Sequence, residues 1–129
     1  MSMLDEDPTP VGTLILKTLA MPADTNPNGD VYAGWLMSQM DLAGGTLAQD
    51  IAHGRVTTVA VGSMVFLRPV SVGATISFYA EEVEVGRSSI RTLVEVWLQE
   101  SISGVPEKVT EGEFVFVAID DNGRTRPIK

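Results

Sequence analysis

Cysteine is absent from this 129-residue chain, and its absence removes several kinds of chemistry. Without a thiol there is no disulfide, no cysteine nucleophile and no cysteine-based zinc or redox site, which fits a reducing compartment. No stretch reaches the roughly 18–20 consecutive apolar residues that a transmembrane helix needs. The first seven residues include three acids and no basic residue, whereas a secretory signal would be basic and then apolar. We therefore expect a cytoplasmic protein with no integral membrane association.

Basic residues are also scarce. The chain has 9 Lys and Arg residues against 17 Asp and Glu residues, for a formal net charge of −8. A nucleic-acid-binding protein concentrates its basic residues in a stripe or patch, whereas here they are scattered, so we expect no nucleic-acid partner. A small anion would need a local cluster of basic groups. The only histidine is His53, and one histidine without cysteine predicts no metal site.

Length and composition predict one domain. With 129 residues, of which 44% are apolar, the whole chain 1–129 can form a single hydrophobic core. No internal repeat and no low-complexity segment divides it. The two ends, residues 1–10 and 121–129, are polar, and we expect them to be loose.

The apolar pattern predicts one helix among five strands. Between about Gly34 and Ile51, apolar residues recur every three or four positions, which is typical of an amphipathic helix, and His53-Gly54 follows as a C-terminal cap. Short turns between the strand-like runs favour antiparallel pairing. Because the fourth strand is apolar on both faces, we expect a second subunit to cover one of them. The predicted strands cover residues 13–19, 56–67, 74–85, 88–99 and 108–119.

The middle of the predicted helix contains an acid among very small residues. At 100° per residue, Asp41 shares a stripe with Gly34 and Gly45, and Gly44 lies close to it. Two adjacent glycines inside a helix each cost about 1 kcal/mol relative to alanine. They indicate either room for a ligand beside the acid, or close packing of helix on sheet with Asp41 facing solvent. The pattern alone leaves both interpretations open.

The start of the helix offers a second candidate group. Free backbone N–H groups at a helix N-terminus stabilise developing negative charge. The amides of Ala33 and Gly34 are therefore candidates for polarising a carbonyl, with Asp41 about two turns further along the same helix. An ordinary turn before a helix is the alternative interpretation. Asn26 also fits such a turn, because asparagine side chains accept bonds from nearby backbone amides.

These residues form part of a longer set of motifs that resembles the YciA-type acyl-CoA thioesterases, over about residues 19–123. The resemblance implies a hotdog fold of the α+β class, in which a five-stranded antiparallel sheet wraps a long central helix. It also implies a homodimer with composite active sites, assembled into a hexamer as a trimer of dimers. The matching motifs are residues 24–41, Ala52-His53-Gly54-Arg55-Val56, Thr58-Val59-Ala60-Val61, Phe66-Leu67-Arg68-Pro69, Val85-Gly86-Arg87-Ser88-Ser89 and Val94-Glu95-Val96-Trp97.

The resemblance further implies an activity, the hydrolysis of acyl-CoA to free fatty acid and CoA. No cofactor is implied, since the CoA belongs to the substrate and the product. Asp41 would be the general base or the nucleophile, and the pattern does not separate these two roles. The amides of Ala33 and Gly34 would form the oxyanion site, and Asn26 would help to place the carbonyl or the water, across the dimer interface.

The phosphates of CoA need a separate basic site. The turn Gly86-Arg87-Ser88-Ser89 offers one guanidinium, two hydroxyls and turn amides, all of which suit phosphate oxygens. A hairpin turn with a solvated arginine is the alternative interpretation. Arg68 is a second candidate for nucleotide contact, although Arg68-Pro69 also fits the end of a strand.

Three features of the sequence depart from the family pattern. Ala33 stands where the family usually has glycine, which would narrow the acyl pocket by a methyl group, and Gly62 stands where many members are acidic. The sequence also stops soon after the last predicted strand, without the C-terminal extension of some relatives. Two other functions stay open: a non-catalytic acyl-CoA sensor of the same fold, and a hotdog dehydratase that uses His53.

Overall fold

The structure is a computed structural model that describes residues 9–128, and it contains one α-helix and five β-strands in the predicted order. Residues 1–8 and 129, part of the two ends expected to be loose, lie outside the described residues. In the part described, no helix is long and apolar enough to cross a membrane. The elements are β1 (Thr13–Leu19), α1 (Ala33–Ala52), β2 (Val56–Val61), β3 (Thr75–Val85), β4 (Ser89–Gln99) and β5 (Glu107–Ala118), with a short 3₁₀ turn at Pro22–Asp24.

The five strands form one antiparallel sheet in the order β1-β3-β4-β5-β2. The helix packs on one face of this sheet, because alternate residues of the central strands present apolar side chains to it. The predicted α+β architecture, one long helix against a five-stranded antiparallel sheet, is therefore confirmed. The core includes Met40, Ile76, Phe78, Val94, Phe114 and Phe116, each at most 1% exposed.

The helix has the bounds that its apolar period predicts, to within a residue at each end. It terminates as expected at His53, whose φ of 54° is left-handed, and whose backbone N–H donates to the carbonyl oxygen of Gln49. The guanidinium of Arg126 donates to the carbonyl oxygen of Ala52 at 2.9 Å. These two bonds satisfy carbonyls that a helix C-terminus leaves without an intrahelical partner.

The second strand is shorter than predicted. Residues 56–67 were expected to be a strand, but β2 ends at Val61. The segment that follows β2 keeps a backbone hydrogen bond to β5 at each of its two ends, one of 2.8 Å and one of 2.7 Å. Between them the chain leaves the ladder, and the side chain of Met64 covers Gly112, where an added Cβ would lie 2.7 Å from the methionine methyl carbon. A continuous apolar run predicts a strand but does not reveal such a departure.

The C-terminal segment also differs from its prediction as a loose end. Its backbone amide at Arg126 donates to Ala118 at 2.9 Å, and the amide of Ile128 donates to the carbonyl oxygen of Arg87 at 2.8 Å. The physical reason is that the segment supplies donors to carbonyls at the end of β5, at the β3–β4 turn and at the helix C-terminus.

The outer face of the sheet is partly covered by the chain itself. Trp97 is 3% exposed, and its indole N–H donates to a carboxylate oxygen of Glu95 at 2.9 Å. The same oxygen accepts a bond from the backbone N–H of Val11 at 3.2 Å. Because Trp97 is buried within one chain, its apolar character does not require a second subunit. Leu93, on the same face, is only half-buried.

Candidate active site

Asp41 is held by a residue from a different element. One of its carboxylate oxygens, Oδ1, accepts a hydrogen bond of 2.6 Å from the hydroxyl of Thr58, on the edge strand β2. Thr58 lies opposite Phe116 in the sheet, and the register shifts between Thr58 and Ala60. A bulge of this kind re-aims the side chains beside it. The sequence had placed Thr58 in a family motif but had given it no role, so this contact was missed.

The carboxylate of Asp41 opens into a cleft. The cleft lies between the middle of α1 and the neighbouring strands β2 and β5, and its volume is about 200 Å³. Asp41 itself is half-buried, so it is both fixed by Thr58 and accessible to a small molecule. The lining residues are Asp41, Leu42, Gly45, Thr46, Gln49, Val56, Thr58 and Phe116.

The two adjacent glycines have different surroundings. Gly44 is buried, and an added Cβ would lie 3.1 Å from the hydroxyl oxygen of Thr92 and 3.2 Å from the ring of Phe116. Gly45 lines the cleft beside Asp41, and an added Cβ would meet Phe116 at an ordinary 3.5 Å. Close packing therefore explains Gly44, and room beside the acid explains Gly45. Each of the two interpretations holds for one glycine.

Alanine substitutions at Gly44 and Gly45 should therefore differ in their effect on the stability of the protein. Both changes gain about 1 kcal/mol of helix propensity, but Gly44→Ala pushes a methyl group into a packed core, which typically costs about 1–3 kcal/mol. We expect Gly44→Ala to be less stable than Gly45→Ala, as measured by urea unfolding of the two variants and wild type. Equal midpoints would contradict close packing at Gly44.

The N-terminus of α1 is open. Its N-cap residue, Tyr32, makes no side-chain capping bond, and within residues 9–128 no backbone or side-chain acceptor receives the amides of Ala33 and Gly34. A Cβ on Gly34 would meet nothing within 4 Å. A second cavity of about 370 Å³ reaches Ala33. Its lining is mostly apolar and comprises Asp30, Val31, Ala33, Leu36, Phe66, Leu67, Arg68, Pro69 and Val70.

The acid and the free amides do not converge within one chain. Asp41 follows Gly34 by seven residues, which corresponds to about 11 Å along the helix axis. A thioester carbonyl group is far smaller than this separation, so one helix cannot present both groups to the same carbonyl. The two candidate groups lie on one element as predicted, but they serve one reaction only if a second copy contributes one of them.

Asn26 organises the loop that precedes the helix. Its side-chain oxygen accepts backbone bonds from Asn28 at 2.9 Å and from Asp30 at 3.1 Å. This is the turn role that the sequence offered as the alternative interpretation. The side-chain NH₂ group of Asn26 has no acceptor among the described residues.

The candidate phosphate-binding residues fall into two places. Arg87 is exposed on the β3–β4 turn, which is closed by a 2.8 Å bond from the amide of Gly86 to the carbonyl oxygen of Ser89. A cavity of about 400 Å³ lies between this turn and Pro127. Arg68 instead borders the cavity near the helix N-terminus.

Arg68 is also engaged within the chain. Its Nε donates to the carbonyl oxygen of Lys108 at 2.9 Å, and its guanidinium pairs with Glu107. The structure therefore does not bring Arg68 together with Ser88 and the rest of the turn. His53 is exposed at the far end of the helix, twelve residues or about 18 Å beyond Asp41. Across residues 9–128, no group of three acidic or histidine side chains could hold a metal ion.

The fold and the acid on its long helix define a hotdog-type thioesterase. The model of the thioesterase superfamily matches residues 28–104, and the chain belongs to this superfamily. It is 53% identical to the acyl-CoA thioester hydrolase YciA of Salmonella typhimurium, over 98% of this chain and 97% of that protein.

Solved structures agree with this assignment and with the predicted resemblance. A hexameric, broad-specificity acyl-coenzyme A thioesterase is 53% identical, with a TM-score of 0.90 over 95% of this chain and 84% of that chain. A hexameric hotdog-fold thioesterase of Campylobacter jejuni is 39% identical, with a TM-score of 0.86 over 92% and 91% of the two chains. The hotdog fold predicted from the sequence is confirmed.

Proposed function

We propose that this protein hydrolyses acyl-CoA thioesters to a free acid and CoA, with Asp41 as the catalytic carboxylate. The observation that carries the proposal is the position of Asp41, which opens into a cleft while Thr58 holds one of its oxygens at 2.6 Å. The names of the curated relatives, acyl-CoA thioester hydrolases, support the same substrate class.

The chemistry needs one proton acceptor and one group that stabilises an oxyanion. As a general base, Asp41 takes a proton from water while the water oxygen attacks the thioester carbon. The carbonyl oxygen becomes an oxyanion, which amides such as those of Ala33 and Gly34 stabilise. The carbon–sulfur bond then breaks, and CoA leaves as a thiolate that takes up a proton. As a nucleophile, the carboxylate of Asp41 would attack the thioester carbon and expel the CoA thiolate, and water would hydrolyse the resulting mixed anhydride to the free acid and the regenerated carboxylate.

The active site is proposed to be composite. Because about 11 Å of helix separates Gly34 from Asp41, the amides that act on Asp41's substrate come from a second copy of the chain. A two-fold axis that sets two copies of α1 antiparallel would bring each Asp41 near the other helix's N-terminus. We assign Asn26 to the same composite site, where its free NH₂ would place the carbonyl or the water.

The surface beside Asp41 supports such a partner. Strand β2 lies at the edge of the sheet, and its residues after Val56 are exposed. An unpaired edge strand is a template for pairing with another chain. Exposed apolar side chains continue past it, including Val59 at 54% and Val65 at 72%. With the hexameric structures of relatives, this favours a dimer that assembles further into a trimer of dimers.

The assay that tests the function is thiol release from a panel of acyl-CoAs, from short to long acyl chains. Hydrolysis by wild type is the expected result, and its dependence on chain length would define the acyl preference. The cavity beside Ala33, of about 370 Å³ and mostly apolar, is where we place the acyl chain. CoA binding without hydrolysis of any member would instead identify the non-catalytic sensor. The predicted cytoplasmic location stays a prediction.

Arg87→Ala should raise KM for acyl-CoA by about twofold to fivefold, with a smaller effect on kcat. A contact to a phosphate far from the reacting carbon binds the ground state and the transition state alike, and an exposed charge pair contributes about 1 kcal/mol or less. Steady-state kinetics with several acyl-CoAs measures the effect. An unchanged KM for all of them would exclude Arg87 from substrate binding.

A further inference from the structure

A loop at the open edge of the sheet separates two cavities. This edge loop, residues 62–67, follows β2 and keeps a backbone hydrogen bond to β5 at each end, one of 2.8 Å and one of 2.7 Å. Between its ends, the carbonyl oxygen of Val65 accepts a 2.8 Å bond from the hydroxyl of Thr110, and the side chain of Met64 covers Gly112. The edge loop is therefore fixed in place although it has left the ladder.

The two cavities lie on different sides of the edge loop. The first, between the loop and the N-terminal turns of α1, is the space of about 370 Å³ in which we place the acyl chain. The second, of about 330 Å³, lies between the loop and β5, in the gap that opens where the chain leaves the ladder. Its lining is mostly apolar, and the loop contributes Met64, Val65 and Leu67 to it.

Leu67 is common to the linings of both cavities. Its backbone is fixed, because its amide donates to the carbonyl oxygen of Val109 at 2.7 Å. Its side chain is 59% exposed and so is not packed into the core. A side chain on a fixed backbone with open space on two sides acts as a partition. The size of the residue at position 67 therefore decides whether the two cavities are separate or continuous.

The charged groups that line the second cavity are already paired. Nζ of Lys108 contacts the carboxylate of Glu111, and it lies 3.5 Å from a carboxylate oxygen of the buried Glu95. An ammonium group engaged by two carboxylates has little attraction left for a further anion. What the second cavity offers to a ligand is apolar surface, which suits a hydrocarbon chain.

The volumes indicate which chain lengths are affected. At about 30 Å³ for each methylene, the share of liquid volume of one water molecule, the first cavity of about 370 Å³ holds about twelve carbons. The second cavity, of about 330 Å³, holds nearly as many again. An octanoyl chain therefore fits the first cavity alone, whereas a palmitoyl chain has to pass Leu67.

We propose that Leu67 limits the length of the acyl chain that this protein accepts, and that the second cavity receives the distal end of long chains. The proposal rests on the thioesterase function and deepens it, because it assigns the preference for acyl length to one side chain. A smaller residue at this position joins the two cavities, and a larger one closes the passage. Each methylene that leaves water for an apolar cavity improves binding by about fourfold.

The test compares Leu67→Ala and Leu67→Trp with the control Leu19→Ala. Leu19 is similarly exposed, at 52%, but it lies on β1 at the opposite edge of the sheet and outside the linings of both cavities. We measure kcat/KM for octanoyl-CoA and for palmitoyl-CoA, the latter below the concentration at which it forms micelles. Calorimetry with the matching S-alkyl-CoA thioethers, which cannot be hydrolysed, and light scattering for molar mass are carried out in parallel.

We expect Leu67→Ala to raise the ratio of kcat/KM for palmitoyl-CoA to that for octanoyl-CoA by about fourfold to fifteenfold, as for one to two newly buried methylenes. Leu67→Trp should lower this ratio by a similar factor, and Leu19→Ala should leave it unchanged. A ratio that fails to move in opposite directions in the two Leu67 variants would overturn the proposal.

The thioesterase function and the role of Leu67 can fail separately. If acyl-CoA is hydrolysed but the ratio is unchanged in Leu67→Ala, the function stands and the role of Leu67 fails. If no acyl-CoA is hydrolysed but the Leu67 variants shift the Kd of the long thioether alone, the role of Leu67 stands and the function fails. A second copy of the chain is the other occupant that suits an apolar gap. Leu67 variants that change the molar mass and not the ratio would identify it and overturn the proposal.

Discussion

Replacing Asp41 by asparagine should lower kcat by about a thousandfold, within the range of about 10²–10⁴ expected for loss of a general base. Asparagine keeps the size of the side chain and an oxygen that can accept a hydrogen bond from the hydroxyl of Thr58. It loses the charge and the basicity that either mechanism requires, because an amide neither accepts the proton of water nor attacks a thioester effectively. The measurement is thiol release at saturating acyl-CoA, with CoA binding followed by calorimetry.

The matched control is Asp50→Asn. Asp50 lies on the same helix, is exposed, and is not part of the cleft, so the same chemical change there should leave kcat and CoA binding unaltered. His53→Ala, assayed in parallel, tests the dehydratase alternative and is expected to remain active. Full activity in Asp41→Asn would remove the carboxylate from the mechanism, and loss of activity in both asparagine variants would indicate a damaged helix instead.

Local periodicity predicted the elements of the fold well. The bounds of α1 and of four strands follow from spacing and composition within each segment, since burial of one face imposes a period on the sequence. The two errors, the length of β2 and the C-terminal segment, have a common origin. Both depend on partners far along the chain: Met64 covers Gly112, and Arg126 bonds to the end of the helix. No local pattern records such pairings.

The candidate site, like the fold, could be predicted from the sequence only in part. Asp41 was a candidate because an acid among glycines violates the rules of an ordinary helix, and its catalytic role was implied by the resemblance. The separation of Asp41 from Gly34 follows from helix geometry at about 1.5 Å per residue, yet the acid and the helix N-terminal amides were predicted as one site on one element. The bond from Thr58 was not predictable, because it depends on sheet register and on a bulge after Thr58.

Thr58→Val should lower kcat roughly tenfold to a hundredfold while KM changes little. Valine has nearly the same shape as threonine but lacks the hydroxyl that donates to Oδ1 of Asp41 at 2.6 Å. That bond restricts the rotation of a carboxylate that lines the cleft. Loss of orientation affects the transition state more than ground-state binding, because misplacement by about 1 Å can cost a factor of 10² in rate. Steady-state kinetics on acyl-CoA measures both constants.

Thr58→Ser provides the matched rescue, since serine keeps the hydroxyl and loses only a methyl group. It should retain most of the wild-type kcat. A second test is the double variant: when Asp41 is already asparagine, Thr58→Val should lower the residual rate much less than it does in wild type, because residues that act as a unit are not additive. Equal losses in both backgrounds, or a serine variant as slow as the valine variant, would show that Thr58 supports the strand and does not position the catalytic acid.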